Sequence, residues 1–373
     1  MNEAAETELR RGFTTGSAAA AAAVAAARFL SGGSCSAVTL NLPGGREIVI
    51  PVTGCRRTSE GAEGWVTKDA GDDPDVTHGA VIAAEVVITE ERGITILGGT
   101  GVGVVTKPGL LVPPGLAAIN PGPMALIRKS LGEELPQGMG AAVTISVPGG
   151  EELARRTYNP KIGILGGLSI LGTTGIVNPM SADAIMGTIK SELSVLRASG
   201  AQAVCLVPGN YGRRMAALLG VPDGMIVNIG NFAGESLATA GSLGFAKLIL
   251  IGQIGKFAKL AAGSLDTHSS KSDGRLEAIA AYSALHGATS GDVSNILSGS
   301  IADEIAVRIT KTEWGMAALE EVTSRIAKVA LAGARGVSEC ACLAFSLPDR
   351  ELTRTNNFDR LIGEIKAGPA ELL

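Results

Sequence analysis

The sequence predicts a chain of α/β and α+β class, in which an N-terminal mixed α+β domain is followed by a doubly wound, Rossmann-like parallel-sheet domain. Three observations underlie this expectation. The 373 residues exceed the span of one ordinary domain. The first half orders a helix, a hairpin and further strands with no repeating unit, whereas from Asn159 onward short apolar runs alternate with glycine turns and helices. The turn Pro148-Gly149-Gly150-Glu151-Glu152 then marks a division into domains 1–155 and 156–373, the second ending in a helical portion.

In the first domain, residues 18–30 form a helix by alanine propensity, and residues 38–42 and 47–51 flank Pro43-Gly44-Gly45 as a hairpin. Residues 81–89, 93–97 and 142–147 read as strands and 124–131 as a helix. In the second domain, strands at 161–165, 203–207, 225–229 and 247–251 each lead through glycine to a helix, which is the pattern of a parallel sheet. Residues 275–373 read as helical, most clearly over 308–332, and are expected to cover the sheet or extend one edge.

Apolar residues make up 46% of the chain and charged residues 18%, which excludes a disordered or fibrous protein. A net charge of −4 gives no electrostatic reason to expect nucleic acid. The 51 glycines beside only two Trp, three Tyr and seven Phe point to tight turns and ligand contacts made by main-chain atoms. Five scattered cysteines write no disulfide framework, and three distant histidines argue against a structural metal. Residues 17–30 follow Arg10 and Arg11 as a targeting segment would. The acids Glu3, Glu6 and Glu8 and the early Arg28 oppose that reading, so the protein is expected to be cytoplasmic, without membrane association.

Four stretches hold candidate chemistry. The run from Gly163 to Gly175 combines five further residues suited to backbone contact with a ligand, Gly166, Gly167, Gly172, Thr173 and Thr174. Neither a dinucleotide fingerprint nor a phosphate loop can be placed on it, and it reads as a nucleotide-like site directly after the first strand of the second domain. A second glycine-rich loop, residues 98–103, precedes Lys107 and is a candidate anion site. Residues 68–79 gather Asp69, Asp72, Asp73, Asp75 and His78, without the ligand spacing of a calcium loop. Asp266-Thr267-His268 offers a histidine that a neighbouring carboxylate could tune as a general base.

Long blocks of this sequence resemble the CbiD family. They include Gly12-Phe13-Thr14-Thr15-Gly16, residues 68–79, residues 101–110, Ile119-Asn120-Pro121, Asn159-Pro160 and residues 163–179. Further blocks are Pro208-Gly209-Asn210-Tyr211-Gly212, Asn231-Phe232, and Gly252-Gln253-Ile254-Gly255-Lys256 through Thr267-His268-Ser269. The family pattern commonly has histidine where Gln253 stands, which argues against an essential histidine there.

The resemblance implies methyl transfer from S-adenosyl-L-methionine to carbon 1 of a ring-contracted cobalt macrocycle in anaerobic cobalamin biosynthesis. The cobalt corrinoid brings its own metal, so no protein metal site is implied, and a homodimer is compatible with the apolar content. Gly166 to Gly175 is then the expected cofactor site. Cationic partners for the macrocycle's acetates and propionates are expected among Arg11, Lys107, Lys161, Arg213, Lys256, Lys271 and Arg275. Thr14, Thr15, Asn210 and Asn231 would complete the substrate contacts, and His78 or His268 would take up the released proton. An NAD(P)-dependent reductase and a non-catalytic carrier of a corrinoid intermediate are the competing expectations.

Overall fold

In the computed structural model, which describes residues 9–33 and 35–369, the chain divides into two units between Ile185 and Met186. Glu3, Glu6 and Glu8 lie outside the described residues. Unit 1 runs through β1 (Gly12–Phe13), α1 (Thr15–Leu30), β2 (Ala37–Asn41), β3 (Glu47–Pro51), β4 (Gly54–Arg57), β5 (Ala62–Thr67), β6 (Val81–Thr89) and β7 (Ile94–Gly98). It continues with β8 (Val104–Val105), α2 (Pro121–Gly132), β9 (Gly140–Ser146), α3 (Gly150–Ala154), β10 (Ile164–Leu165) and β11 (Ile176–Val177). The division falls inside α4 (Ala182–Ala198), after which come β12 (Ala203–Val207), α5 (Asn210–Leu218), β13 (Ile226–Asn228), α6 (Ala233–Ser242) and β14 (Lys247–Gln253). Unit 2 ends with α7 (Ile254–Ala261), α8 (Arg275–Leu285), α9 (Ser290–Leu297), α10 (Ala302–Ile309), α11 (Gly315–Gly333), β15 (Glu339–Ser346), β16 (Arg350–Arg354) and α12 (Phe358–Lys366).

Unit 1 is organised around α1, whose residues from Thr15 to Ala27 are all buried. Alanine favours the helix and projects only a methyl group, so neighbouring backbone can come close on every side. The helix packs on α2 and on β2, β4, β5 and β6, the last three belonging to a sheet of order β4-β5-β6-β9-β7. Gly64 of β5 makes the nearest approach, where a Cβ would lie 2.4 Å from the Ala22 carbonyl oxygen. The helix is capped by Thr14, whose hydroxyl accepts from the Ser17 N–H at 3.2 Å.

The segment beyond residue 155, assigned by sequence to the second domain, stays with unit 1. Its two short strands pair there, β10 antiparallel to β8 and β11 antiparallel to β1. Residues 161–165 are therefore no part of a parallel sheet.

The sheet of unit 2 has the order β13-β12-β14-β15-β16, with the first four strands parallel and β16 antiparallel at the edge. Its fourth parallel strand is β15, in a stretch expected to be helical. Glu339-Cys-Ala-Cys-Leu-Ala-Phe-Ser contains no β-branched residue, so local preference hides a strand that burial on both faces selects. Burial pushes the Cys340 and Cys342 thiols well above their ordinary range, and they act as small core side chains. The helix expected over 308–332 breaks into α10 and α11, because the Thr310 and Thr312 hydroxyls turn back to the Val307 and Ile309 carbonyls at 2.7 and 2.8 Å. Parallel strands bring the chain after β12, β13 and β14 to one edge, where Pro208, Asn228 and Gln253 lie. No described helix is long and apolar enough to cross a membrane.

Gly64→Val should expose the dependence on close approach. A backbone oxygen cannot swing aside, so the variant is expected to lose about 3 kcal/mol of stability in urea unfolding, whereas Gly44→Ala in the β2–β3 turn, where a Cβ meets nothing within 4 Å but φ is +86°, loses only the left-handed backbone cost of about 1 kcal/mol.

Candidate active site

Two clusters contain the residues singled out by sequence, one in each unit. In unit 1 the glycine run lies against the start of α1. Thr15 Oγ1 accepts from the Leu171 N–H at 2.9 Å and donates toward the Ser169 and Leu171 carbonyls at 3.2 and 3.3 Å. Ser17 Oγ donates to the Gly175 carbonyl at 2.7 Å, and the Thr14 and Gly16 N–H groups donate to Gly175 and Leu171. Thr14 and Thr15 are buried, their hydroxyls engaged within the fold.

The run is thus not a strand-to-helix turn of the parallel sheet, although a helix, α4, does follow it at Ala182. At Gly167 a Cβ would lie 2.2 Å from the Gly101 carbonyl oxygen, and at Gly172, where φ is +131°, 2.3 Å from Thr14 Oγ1. Close packing accounts for both glycines. Gly166, Thr173 and Thr174 remain exposed, and Thr174 Oγ1 donates to the Ile176 carbonyl at 3.1 Å. The 98–103 loop meets the same run through the Leu168 N–H to Gly101 and Gly103 N–H to Leu168 bonds, and Lys107 packs its stem on Gly163.

The acidic stretch of residues 68–79 clamps the chain ahead of α1. Asp69 pairs with the Arg10 guanidinium, Asp72 accepts from the Arg10 N–H at 2.6 Å and Asp73 from the Met180 N–H at 2.9 Å. Asp75 holds the Lys68 ammonium at 2.7 Å, a lysine whose side chain is only 2% exposed. Burial alone would raise the Asp75 carboxyl, but the Lys68 charge and the Thr77 N–H and hydroxyl outweigh it and hold the pKa below the ordinary value. Each of the four acids therefore has a partner within the fold.

Both candidate histidines are constrained by backbone donors. His78 Nδ1 accepts from the Ala70 N–H at 3.1 Å, and His268 Nδ1 accepts from the Ser270 N–H at 3.3 Å beside the Ser270 hydroxyl at 2.7 Å. A backbone N–H can only donate, so each neutral ring carries its proton on Nε2 and presents a donor. Neither has a free lone pair for proton removal while these contacts hold.

In unit 2 the sequence candidates converge. Asn231, Lys256, His268 and Arg275 line a cavity of 440 Å³ together with Gln253, Gly255, Lys259, Thr267, Ser269 and residues 300–303. It lies where the chain leaves β13 and β14, the expected ligand position for parallel strands. Lys256 Nζ donates to Asn231 Oδ1 at 3.1 Å and toward the Pro208 carbonyl at 3.5 Å, and the Thr267 hydroxyl donates to the same Asn231 oxygen at 3.3 Å. Burial, then the neighbouring Lys259 charge, lowers the Lys256 pKa. Gln253 Nε2 donates to Asp303 Oδ1 at 3.1 Å. Arg275 is held in a two-point pair with Asp273, at 2.8 and 3.0 Å, which brings the Asp273 pKa down to about 2.

Other expected cations have local partners: Arg213 pairs with Asp223, and Lys271 with Asp266 at 3.0 Å. Asn210 opens α5, exposed, two residues beyond Pro208. Sequence reasoning passes over Lys259 and Asp303. The only local signal for Lys259 is its position one turn after Lys256 on α7, which does not announce burial. Among the described residues no group of three or more His, Cys, Asp or Glu is placed to hold a metal ion.

A family model described as CbiD matches residues 2–179, and one described as CbiD, C-terminal domain, matches residues 266–356. A protein of Thermoanaerobacter sp. (strain X514) named cobalt-precorrin-5B C(1)-methyltransferase is 46% identical over 80% of this chain and 81% of its own length. A protein of the same name from Alkaliphilus metalliredigens (strain QYMF) is 36% identical over 96% of both chains. A crystal structure of the cobalamin biosynthesis protein cbiD from Archaeoglobus fulgidus is 31% identical, covers 69% of this chain and 82% of that one, and has a TM-score of 0.39.

Asp75→Asn should leave the buried Lys68 ammonium without its carboxylate and lower stability by about 3 kcal/mol, measured by denaturant unfolding at neutral pH. Because the folded pKa of Asp75 is lowered, its contribution is full above the unfolded value of about 3.9 and is lost as pH falls below that through the folded value. The difference between wild type and variant is therefore expected to shrink in acid and to be flat from pH 5 to 7.

Proposed function

The chain belongs to the CbiD family, and from that premise we propose that it methylates carbon 1 of cobalt-precorrin-5B with S-adenosyl-L-methionine as the methyl donor. The observation that supports this best is the end-to-end likeness to proteins named for that reaction. The reductase and carrier readings have no comparable support.

When bound, S-adenosyl-L-methionine supplies an electrophilic methyl group, and the macrocycle supplies the carbon nucleophile. Little acid or base chemistry is then required of the protein, in keeping with two histidines whose Nδ1 atoms already accept from backbone N–H groups. The task left to side chains is orientation. The unit 2 cavity suits it: its volume lies within the range of about 300 to 1,000 Å³ usual for ligand sites, and its walls offer ammonium, guanidinium, amide and imidazole donors beside one carboxylate, Asp303. We assign to it the contacts expected of Asn231, Lys256 and Arg275, and we place the polar end of the methyl donor there rather than on the glycine run. The hydroxyls and main-chain groups of that run at Thr15, Leu171 and Gly175 already bond one another, and exposed Thr173 and Thr174 offer no enclosed anchor. Binding of the macrocycle's remote carboxylates can hold the reacting carbon in place.

Anaerobic incubation with cobalt-precorrin-5B and carbon-13-methyl S-adenosyl-L-methionine is expected to give one labelled methyl at carbon 1 by NMR; an unlabelled macrocycle, with the substrate shown competent, would refute the reading. Asn231→Ala, which frees Lys256 from its acceptor, is expected to raise KM about tenfold, as for loss of a hydrogen bond to a charged group. Thr173→Ala with Thr174→Ala is expected to leave KM for the methyl donor unchanged; a rise of similar size would return the donor to the glycine run.

A further inference from the structure

We infer that Lys256 and Lys259 form a carboxylate subsite whose ligand supplies the ion-pair partner that no described carboxylate supplies to either ammonium. Lys259 is 2% exposed, and its ammonium donates to the carbonyls of Thr267 at 3.1 Å and Ser272 at 2.8 Å. One turn earlier on α7, half-buried Lys256 donates to an amide oxygen and a carbonyl. All four acceptors are neutral. Among the described residues no carboxylate comes within ion-pair distance of either ammonium.

Carbonyl groups replace lost water but cancel no charge, so two like charges side by side in a partly enclosed cavity are unfavourable without an anion. The acids nearby sit beyond ion-pair reach of the two ammonium groups: Asp273 pairs with Arg275 and feels the Lys259 charge only at a distance, Asp266 pairs with Lys271, and Asp303 accepts from the neutral Gln253 amide and keeps its charge on the cavity wall. An ammonium has three donors, and each lysine has two contacts, leaving one apiece for an incoming oxygen. The first residues of α7, α8 and α10 line the same cavity, and no side chain caps any of the three helices, so their positive ends add to the field.

Lys259 has a second effect. Its two carbonyl acceptors flank His268, so it fixes the loop that brings the imidazole to the cavity wall. It is a positioning residue as well as half of the charge pair.

The methyltransferase reading enters only in naming the two sources of such a carboxylate, an acetate or propionate of the macrocycle and the amino-acid end of the methyl donor. Asp303 separates them in principle, since it can accept the ammonium that only the amino acid carries.

The test is isothermal titration of the full-length protein with two matched pairs of ligands. One pair is a corrin heptacarboxylate and its heptamethyl ester; the other is S-adenosylhomocysteine and its decarboxylated form. In one pair, removal of the carboxylate is expected to weaken binding about tenfold or more, as for loss of a charge-assisted hydrogen bond, and that pair identifies the source. Lys256→Met should abolish the discrimination and Lys259→Arg should retain it, with circular dichroism checking that each variant is folded. Equal affinity within both pairs, no binding of any of the four ligands, or discrimination intact in Lys256→Met would overturn the subsite, and the comparison in wild type needs no variant. Failure of methyl transfer with the discrimination present would sink the proposed reaction and leave the subsite standing.

Discussion

A helix of alanines has no side-chain length with which to hold its neighbours apart, and unit 1 is built on that constraint. Because α1 is buried from Thr15 to Ala27 behind methyl groups, the chain of β5 comes nearly backbone to backbone with it at Gly64, and the Pro123 side chain packs directly on Gly16. Gly64 must lack a Cβ, and the residues opening the helix must use hydroxyls rather than bulk to hold the adjoining chain. Thr14, Thr15 and Ser17 do this for the glycine run, and the acids of residues 68–79 do it for the segment that enters the helix. The glycine run is therefore fixed to the start of this thin helix through Leu171 and Gly175, while Gly166, Thr173 and Thr174 stay exposed.

Unit 2 follows a different logic. Its parallel strands are covered by apolar side chains and give up their chain ends at one edge, so polar groups of distant sequence position meet there without any of them disturbing the core. Asn231 comes from the β13–α6 connection, Lys256 from the first turn of α7, Thr267 from the α7–α8 connection and Asp303 from the first turn of α10, and amide and carbonyl contacts hold the Lys256 ammonium at one cavity. Rigid strands thus supply the preorganisation that a site working by orientation needs.

Much of this was readable in the sequence where local signals and tertiary context agree. The alanine helix, the β2–β3 hairpin, β6, β9, β12 and β14 follow from propensity and periodicity. β15 was hidden because Cys and Ala have no strand preference of their own, and β10 misled because a two-residue antiparallel pairing looks, in sequence, like the start of a parallel unit. Of the site, Asn231, Lys256, His268 and Arg275 were named from sequence blocks and share one cavity. Lys259 escaped notice since lysine on a helix is ordinarily solvated, and only the fold of residues 264–272 encloses it. The Nδ1 contacts of His78 and His268 depend on backbone donors eight and two residues away respectively, which spacing does not disclose.

The edges of the unit 2 sheet bear on how copies of this enzyme coexist at high concentration. One edge is β13, three residues long, and the other is β16, which places Arg350, Glu351 and Arg354 along its exposed positions. Neither is a long apolar strand on which another chain could extend the ladder, so the hydrogen-bonding potential that parallel sheets leave at their margins is blunted by brevity on one side and by charge on the other. Edge-to-edge pairing of this sheet between copies is thereby disfavoured at both of its margins.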